Sequence, residues 1–369
     1  DVLDKEIQRI LDLGVEVELN RRVDKQVLMD IAAEHDAVMV ATGLQQMRDL
    51  KLCADDEGEV VMQGIDFLDL ANEGKVRTDD ERVVVVGGGN TAFDAARSAL
   101  RLGATDVRLV YRRTREEMPA IEDEIEEGIE EGVQIDYLTM PVQLTPNGSA
   151  KGYRMTCRRM ELGEPDDSGR RRPVEIPNSD FDIECDRVLL ALGQSPELSI
   201  FPEGTEVHEG DTLIGTLQTP VFAVGDLATN DGTVTAAIGS GRRAALHVHQ
   251  TFTGEQLLEP AHAESDVVGP EQMHMHLFHK EGKHAGTALP PETRRFTYEE
   301  VHEGLPDASE AKRCLSCGVC NECDKCVTYC PEGVLKRVGH SFVFDYSYCK
   351  GCGICAAECP RNVIYMSRL

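Results

Sequence analysis

Two cysteine runs carry the most specific chemistry in this chain. Cys320, Cys323, Cys326 and Cys330, followed by Pro331, are repeated as Cys349, Cys352, Cys355 and Cys359, followed by Pro360. Three thiolates in one tight loop can grip three irons of a cubane, and the fourth cysteine is carried onward to a second cubane. The spacing therefore assigns Cys320, Cys323, Cys326 and Cys359 to one [4Fe–4S] cluster. Cys349, Cys352, Cys355 and Cys330 belong to the other. Gly351 and Gly353 let the backbone wrap close and aim N–H groups at sulfur. A four-thiolate zinc site is the alternative, and two Cys-Pro endings in register weigh against it. Cys314 and Cys317 extend the same spacing upstream. They could be alternative ligands that change which thiols bind the first cluster, part of a further metal site with a partner, or plain buried thiols.

A second motif lies between a buried strand and a helix. Val83–Val86 runs into Gly87-x-Gly89-x-x-Ala92, with Asn90 and Thr91 inside it, and a helix then reaches Leu102. In this context the first glycine makes the turn, the second admits a pyrophosphate, and Ala92 permits close helix packing. The helix N-terminus presents N–H groups and a positive dipole to the phosphates. At the end of the next strand, Val107–Tyr111, an acidic residue would suit the ribose of NAD. The chain has Arg112-Arg113 there, and two guanidiniums suit a 2′-phosphate, so the expected nucleotide is NADPH. The competing structural reading pairs both arginines with the acidic helix that follows.

A third group points to flavin. Gly225-Asp226 follows a buried strand, and Thr233, Val234 and Ala237 open a helix whose N–H groups could stabilise negative charge on a reduced isoalloxazine. In flavoprotein disulfide-reductase-like folds such an aspartate hydrogen-bonds the ribityl chain. Thr42-Gly43 and Leu192-Gly193 end two more buried strands, as crossing points between two nucleotide domains do.

The elements that must hold these residues alternate between helix and strand, which is the α/β pattern. An amphipathic helix carries Leu3, Ile7, Ile10 and Leu11 and stops at Gly14. Val15, Val17 and Leu19 alternate with Glu16 and Glu18 as a strand would. A helix is expected over 25–34 and buried strands at Ala37–Ala41, Val188–Leu192 and Val221–Val224. Residues 116–131 carry nine carboxylates, but Ile121, Ile125, Ile129 and Val133 recur every four residues, so an amphipathic helix with a solvated acidic face is expected. Between Val142 and Ile183 strands alternate with polar turns. Residues 259–312 hold six of the eleven histidines and read as a partly ordered linker, with His274, His276, His279 and His284 in a solvated loop rather than a metal site.

The chain has 369 residues, 13 of them cysteine, and a net charge of −28. Three cysteines (Cys53, Cys157, Cys185) precede residue 314 and ten follow, which is unlike a disulfide-stapled secreted protein and points to metal-bound thiolates in a reducing cytoplasm. The excess of acidic side chains argues against nucleic acid or an anionic membrane as partner. No apolar run reaches the roughly 18 residues of a membrane span. The tail from Cys314 holds six basic and five acidic residues, so the acidity belongs to the body.

Together the motifs resemble one family. Residues 85–97 (Val-Val-Gly-Gly-Gly-Asn-Thr-Ala-Phe-Asp-Ala-Ala-Arg), Tyr111-Arg112-Arg113-x-Arg115-Glu116-Glu117-Met118-Pro119-Ala120, Ala191-Leu192-Gly193-Gln194, and Val224-Gly225-Asp226 with Gly232-Thr233-Val234 and Gly241-Arg242 are similar to the small (beta) subunit of NADPH-dependent glutamate synthase. The same residues resemble its relatives, including the flavin–NADPH part of dihydropyrimidine dehydrogenase. Glu310-Ala311-x-Arg313-Cys314-Leu-Ser-Cys317-Gly resembles the C-terminal ferredoxin fusion of some of these oxidoreductases. The resemblance implies two Rossmann-like domains of the disulfide-reductase type plus a small α+β ferredoxin domain. It implies a remainder of an FAD domain over 1–78, an NADPH domain over 79–190, the C-terminal part of the FAD domain over 191–258, a linker over 259–312 and the two-cluster domain over 313–369. It also implies electron flow from NADPH through FAD to the clusters and onward to a partner subunit or soluble acceptor, with cofactors rather than side chains doing the chemistry. The first Gly-x-Gly-x-x-Gly unit of such proteins is not in this sequence, so a fragment is expected, and FAD binding by it is in question. The clusters follow the flavin part rather than precede it, so a glutamate-synthase large subunit is not implied. The alternative is a non-enzymatic iron–sulfur subunit that does not itself bind FAD. A thiol–disulfide reductase would need a Cys-x-x-Cys beside the flavin, and Cys53, Cys157 and Cys185 are solitary.

Overall fold

A computed structural model describes residues 2–52, 60–148, 152–166, 169–205, 207, 219–255, 268–283, 286–305 and 307–366. Cys53 and His284 lie outside these. The chain divides into two units, residues 1–257 with 295–297, and residues 258–294 with 298–369.

In the first unit, five parallel strands form the central sheet in the order Val61–Gln63, Arg187–Ala191, Arg82–Gly87, Asp106–Val110, Gln134–Asp136. The central strand is apolar without alternation because both its faces are covered. Val83 and Val85 pack with Phe67, Phe93 and Ile125 under the helices Gly64–Asn72, Asn90–Arg101 and Glu122–Glu131. Val84 and Val86 pack on the other side with Met155, Cys157, Ile183 and Cys185. Those four belong to a three-stranded antiparallel meander, Thr139–Pro146, Tyr153–Pro165 and Arg171–Cys185. Along the helix Asn90–Arg101, Ala92, Ala95, Ala96 and Ala99 are fully buried, and their small side chains bring the helix close to the sheet.

The acidic helix, Glu122–Glu131, ends on Gly132 at φ +108°. Its carboxylates are not all solvated as expected. Glu131 is 1% exposed and accepts from Arg97 and Arg101, while Glu124 and Glu127 also pair with Arg97. The desolvation of two guanidiniums is offset only because each meets a carboxylate.

The rest of this unit is smaller. Lys25–Glu34 is a helix capped by Asp24, whose carboxylate accepts from the Val27 N–H at 2.9 Å. Val38–Val40 pairs in parallel with Val221–Ala223, and Leu28, Ala32, Phe201 and Leu227 bury against that pair. Gln46–Met47 pairs antiparallel with Gln194–Ser195, so the two connections cross side by side. The expected strand at Val15–Leu19 is not formed. Val15, Val17 and Leu19 are 50%, 57% and 78% exposed, and no described strand lies alongside them. An alternating pattern makes a strand only where a neighbour takes up its backbone groups.

The second unit holds the strand pair Leu335–Val338 and Ser341–Phe344 and two short helices, Lys325–Thr328 and Ile354–Ala357. Part of the expected linker is built into it. The His274 N–H donates to the Pro360 carbonyl at 3.2 Å, Met273 is buried, and the Arg361 guanidinium lies 5.2 Å from the Phe278 ring centroid. No described helix is long and apolar enough to cross a membrane.

Candidate functional site

The glycine loop opens a cavity of about 650 Å³ in the first unit. Its floor is Gly87, Gly88 and Gly89, and its walls include Thr91, Arg48, Arg112, Arg170, Gly193 and Asn230. Gly87 sits at φ +155°, and a Cβ there would lie 2.3 Å from the Ala191 carbonyl oxygen. Gly88, which sequence spacing left as a variable position, is equally constrained. A Cβ on it would stand 2.5 Å from the Tyr111 ring. Gly89 caps the helix Asn90–Arg101 without a side-chain bond, so its first N–H groups face the cavity end of the helix.

Segment 115–121 arches over this loop. The Tyr111 hydroxyl donates to the Glu117 carbonyl at 2.7 Å, the Ala120 N–H to the Gly88 carbonyl at 3.2 Å, and the Ile121 N–H to Asn90 Oδ1 at 2.9 Å. The Asn90 side-chain oxygen is thus committed to holding the arch. Thr91 and Ala92 take different parts, Thr91 lining the cavity and Ala92 fully buried in the core.

The paired arginines separate. Arg113 is 5% exposed; its Nη2 lies 2.7 Å from Asp166 Oδ2 and its Nε donates to the Arg171 carbonyl at 2.7 Å. Both arginines line the cavity, where Arg112 is the exposed one. Among the described residues neither Arg112 nor Arg48 forms an ion pair. Partial burial, then Arg113, and more weakly Arg170 and Arg48, lower the Arg112 pKa from its ordinary value. Arg48 and Arg112, which form no ion pair among the described residues, line the cavity together with Asp49, a charge arrangement suited to an anionic group. Neither member of the Arg112-Arg113 pair bonds the acidic helix; Arg115 does so instead, through Glu122 and Glu126.

The flavin-type residues also converge. Gly225, at φ +64°, donates its N–H to the buried Ser240 Oγ at 2.9 Å. Asp226 accepts from the Gly232 N–H at 3.1 Å, and Thr233 caps the helix Val234–Thr253 by accepting from the Ala236 N–H at 3.2 Å. Ala237 lies against Gly225, 3.7 Å from where a Cβ would stand, while Val234 is exposed at the helix mouth. Gly43, at φ +64°, turns the chain after Val38–Val40, and Thr42 is exposed beside it. Asn230, between Asp226 and Thr233, lines the same cavity as the glycine loop.

In the second unit Cys320, Cys323, Cys326 and Cys359 line one cavity of about 210 Å³ with Phe342, Phe344 and Ile364. That is room for several water-sized particles. Burial raises the Cys326 pKa, and nearby Cys323, Cys359 and Cys320 add to the rise. Cys355 is raised by burial too, with Cys352 and Cys330 as neighbours. The fourth cysteine of the second run, Cys359, thus stands with the first three of the first run, and Cys330 of the first run lies near Cys352 and Cys355 of the second. The backbone repeats as well: Glu322 and Gly351, Asp324 and Gly353, and Gly333 and Asn362 all have positive φ, each pair at equivalent places in the two runs. The Val363 N–H reaches Cys359 Sγ at 3.3 Å, and the equivalent Val334 N–H, with those of Glu332, Leu335 and Gly333, lowers the Cys330 pKa against the opposing effect of burial. Cys314 and Cys317 are exposed, not buried.

His274 and His276 lie edge to face at 5.9 Å, and among the described residues no group of three His, Cys, Asp or Glu side chains closes on a single ion. Cys157 and Cys185 are buried, and burial pushes the Cys157 thiol up to about 12, away from the range of a reactive thiolate.

Comparison with known proteins agrees with these two units. Residues 2–241 match the family described as pyridine nucleotide-disulphide oxidoreductase, and residues 342–365 match the 4Fe-4S binding domain. The chain is 38% identical over 337 residues to the NADP(+)-dependent formate dehydrogenase subunit beta of Moorella thermoacetica, covering 86% of this chain and 47% of that protein. It is 33% identical over 359 residues to the NADPH-Fe(3+) oxidoreductase subunit beta of Geobacter sulfurreducens, covering 86% and 53%. It is 33% identical over 271 residues to the glutamate synthase [NADPH] small chain of Azospirillum brasilense, covering 67% and 55%. The chain thus spans about half the length of the curated relatives it matches.

Proposed function

Since the chain belongs to the pyridine nucleotide-disulphide oxidoreductase family and carries a 4Fe-4S binding domain, we propose that it is the electron-input part of an NADPH-dependent flavin oxidoreductase with two [4Fe–4S] clusters. The observation that carries this reading is the cavity shared by the glycine loop, the unpaired Arg112 and Asn230 of the flavin-type segment.

The residues fit the groups. Gly87 and Gly88 pack without room for a Cβ against Ala191 and Tyr111, and the glycine loop lines the cavity, where its backbone can meet a pyrophosphate. The N-terminus of Asn90–Arg101 places N–H groups and a positive dipole beside it. Arg112 takes the 2′-phosphate, and Arg113, tied to Asp166, fixes the strand end that carries it. Asp226, the Thr233-capped helix, Ala237 and Thr42-Gly43 form the flavin-facing wall. The helix N–H groups there stabilise negative charge. Cys320, Cys323, Cys326 and Cys359 would hold one cluster and Cys349, Cys352, Cys355 and Cys330 the other, with N–H donors such as Val363 and Val334 directed at sulfur. The bound cofactors supply the redox chemistry, two-electron at the nucleotide and one-electron at the clusters. The protein's part is to bind, orient and keep the carriers close. A partner subunit or soluble acceptor receives the electrons, as the beta-subunit and small-chain relatives suggest by their names.

The test is anaerobic reconstitution of the full chain with iron and sulfide. About eight irons per chain and two distinguishable EPR signals are expected for two cubanes. One bound zinc, or about four irons, would contradict the two-cluster part of the reading.

A further inference from the structure

We propose that Arg361, seated by segment 268–278 at the cavity of Cys320, Cys323, Cys326 and Cys359, is a cation that raises the reduction potential of the first cluster. This deepens the two-cluster reading and rests on it.

Arg361 directly follows Cys359-Pro360 and lines the same cavity as the four cysteines. Its Nε is buried, and among the described residues that nitrogen has no hydrogen-bond partner and the side chain no carboxylate paired with it. It is held instead from outside the cysteine runs. Its guanidinium carbon lies 5.2 Å from the Phe278 ring centroid, a cation–π seat. The His274 N–H donates to the adjoining Pro360 carbonyl at 3.2 Å, and the Gly318 N–H donates to the Arg361 carbonyl at 3.1 Å. Met273 is buried, and a Cβ on Gly318 would meet Val268 at 3.0 Å. Residues 268–278 thus fasten the two residues that follow Cys359.

The duplicated run shows what is particular to this position. The residue after Cys330-Pro331 is Glu332, and its carboxylate is taken up by Lys350 at 2.8 Å. Equivalent places in the two runs therefore carry a cation without a counter-ion and an anion with one. The other charged residues on the cavity are Asp324 and Lys325. Asp324 is paired with Arg337 at 3.2 Å, and Lys325 opens a short helix. A cubane on four thiolates is anionic, and one added electron makes it more so without a bond forming or breaking. A fixed positive charge stabilises the more negative state most, and more strongly where apolar walls keep the local dielectric low. Phe342, Phe344 and Ile364 supply such walls here.

The test is a potentiometric titration of the reconstituted full chain, reduced with dithionite and followed by EPR. The first cluster is the signal that Cys323→Ser perturbs. Arg361→Gln should make its reduction about tenfold less favourable, a fall of about 59 mV for one electron, and leave the second cluster within about twofold. Arg361→Lys, which keeps the charge, should recover most of the loss. Phe278→Leu should lower the same potential by less. Equal shifts at both signals, or none at either, would overturn the proposal while the two clusters stand. A fall that Arg361→Lys reproduces in full would assign the effect to packing and overturn it too. A parent chain with a single signal would remove the two-cluster reading and the proposal with it. Where Arg361→Gln retains fewer than about eight irons, Phe278→Leu decides alone: a lowered first potential supports the seat, and an unchanged one overturns it.

Discussion

Arg113 Nη2 and Asp166 Oδ2 meet at 2.7 Å across 53 residues of sequence. That contact separates two adjacent arginines into different roles. Arg113 is buried and fastened to the meander, whereas Arg112, exposed on the lining of the same cavity, forms no ion pair among the described residues. Replacing Arg113 with Ala removes the cation that meets Asp166 Oδ2 and the N–H that meets the Arg171 carbonyl. We expect it to cost about 3 kcal/mol, as breaking a buried pair does. Arg112→Ala, which breaks no pair, should leave the melting temperature within a degree or two, since exposed substitutions usually stay within about 0.5 kcal/mol. Thermal melts of the two variants side by side check this; equal losses would contradict the division.

The glycine loop makes a steric prediction. Gly88→Ala drives a methyl into the Tyr111 ring and Gly87→Ala one into the Ala191 carbonyl. Overpacking of this kind costs about 1–3 kcal/mol. The ring can turn aside and the backbone carbonyl cannot, so Gly87→Ala should be the more destabilising. Gly88→Ala should fold and lose nucleotide affinity. Urea unfolding and calorimetry on both variants decide the order.

Acid should loosen the helix pair behind the loop. Burial alone would raise the Glu131 pKa, but bonds from Arg97 and Arg101 more than offset it and hold it below the ordinary glutamate value. A lowered folded-state pKa contributes stability that is complete above the unfolded value, about 4.3, and lost as pH falls through the folded one. Glu131→Gln should therefore destabilise at pH 7 and flatten the stability profile below about pH 4.5. An unchanged profile would show that the network carries no linkage.

The crossed cysteine sets predict crossed phenotypes. Cys330→Ser should perturb the same EPR signal as Cys355→Ser, and Cys359→Ser the same signal as Cys323→Ser. Pairing instead within each sequence run, Cys330 with Cys323, would refute the exchange of fourth ligands.

Much of this was legible in the sequence because the pattern had one physical solution. A run such as Val83–Val86 is apolar throughout only when both faces of a strand are covered. The cysteine spacing likewise leaves few geometries. Other features depended on partners distant in sequence. Val15, Val17 and Leu19 alternate correctly but have no neighbouring strand. Glu131 looks like any carboxylate on an acidic helix until Arg97 and Arg101 are placed beside it. Arg48 and Arg170 reach the cavity from 64 residues before and 58 after Arg112, with no local signal. One clue was available: continued strand alternation turns Tyr111 and Arg113 inward together and Arg112 outward.

The central claim is that this cavity reads the 2′-phosphate through Arg112. The most direct measurement is the affinity of the full chain for NADP⁺ and NAD⁺, before and after Arg112→Ala. The account predicts that the substitution weakens NADP⁺ about tenfold or more, as loss of a charge-assisted contact should, while NAD⁺ changes by less than about twofold. Equal weakening of both nucleotides, or of neither, would contradict it.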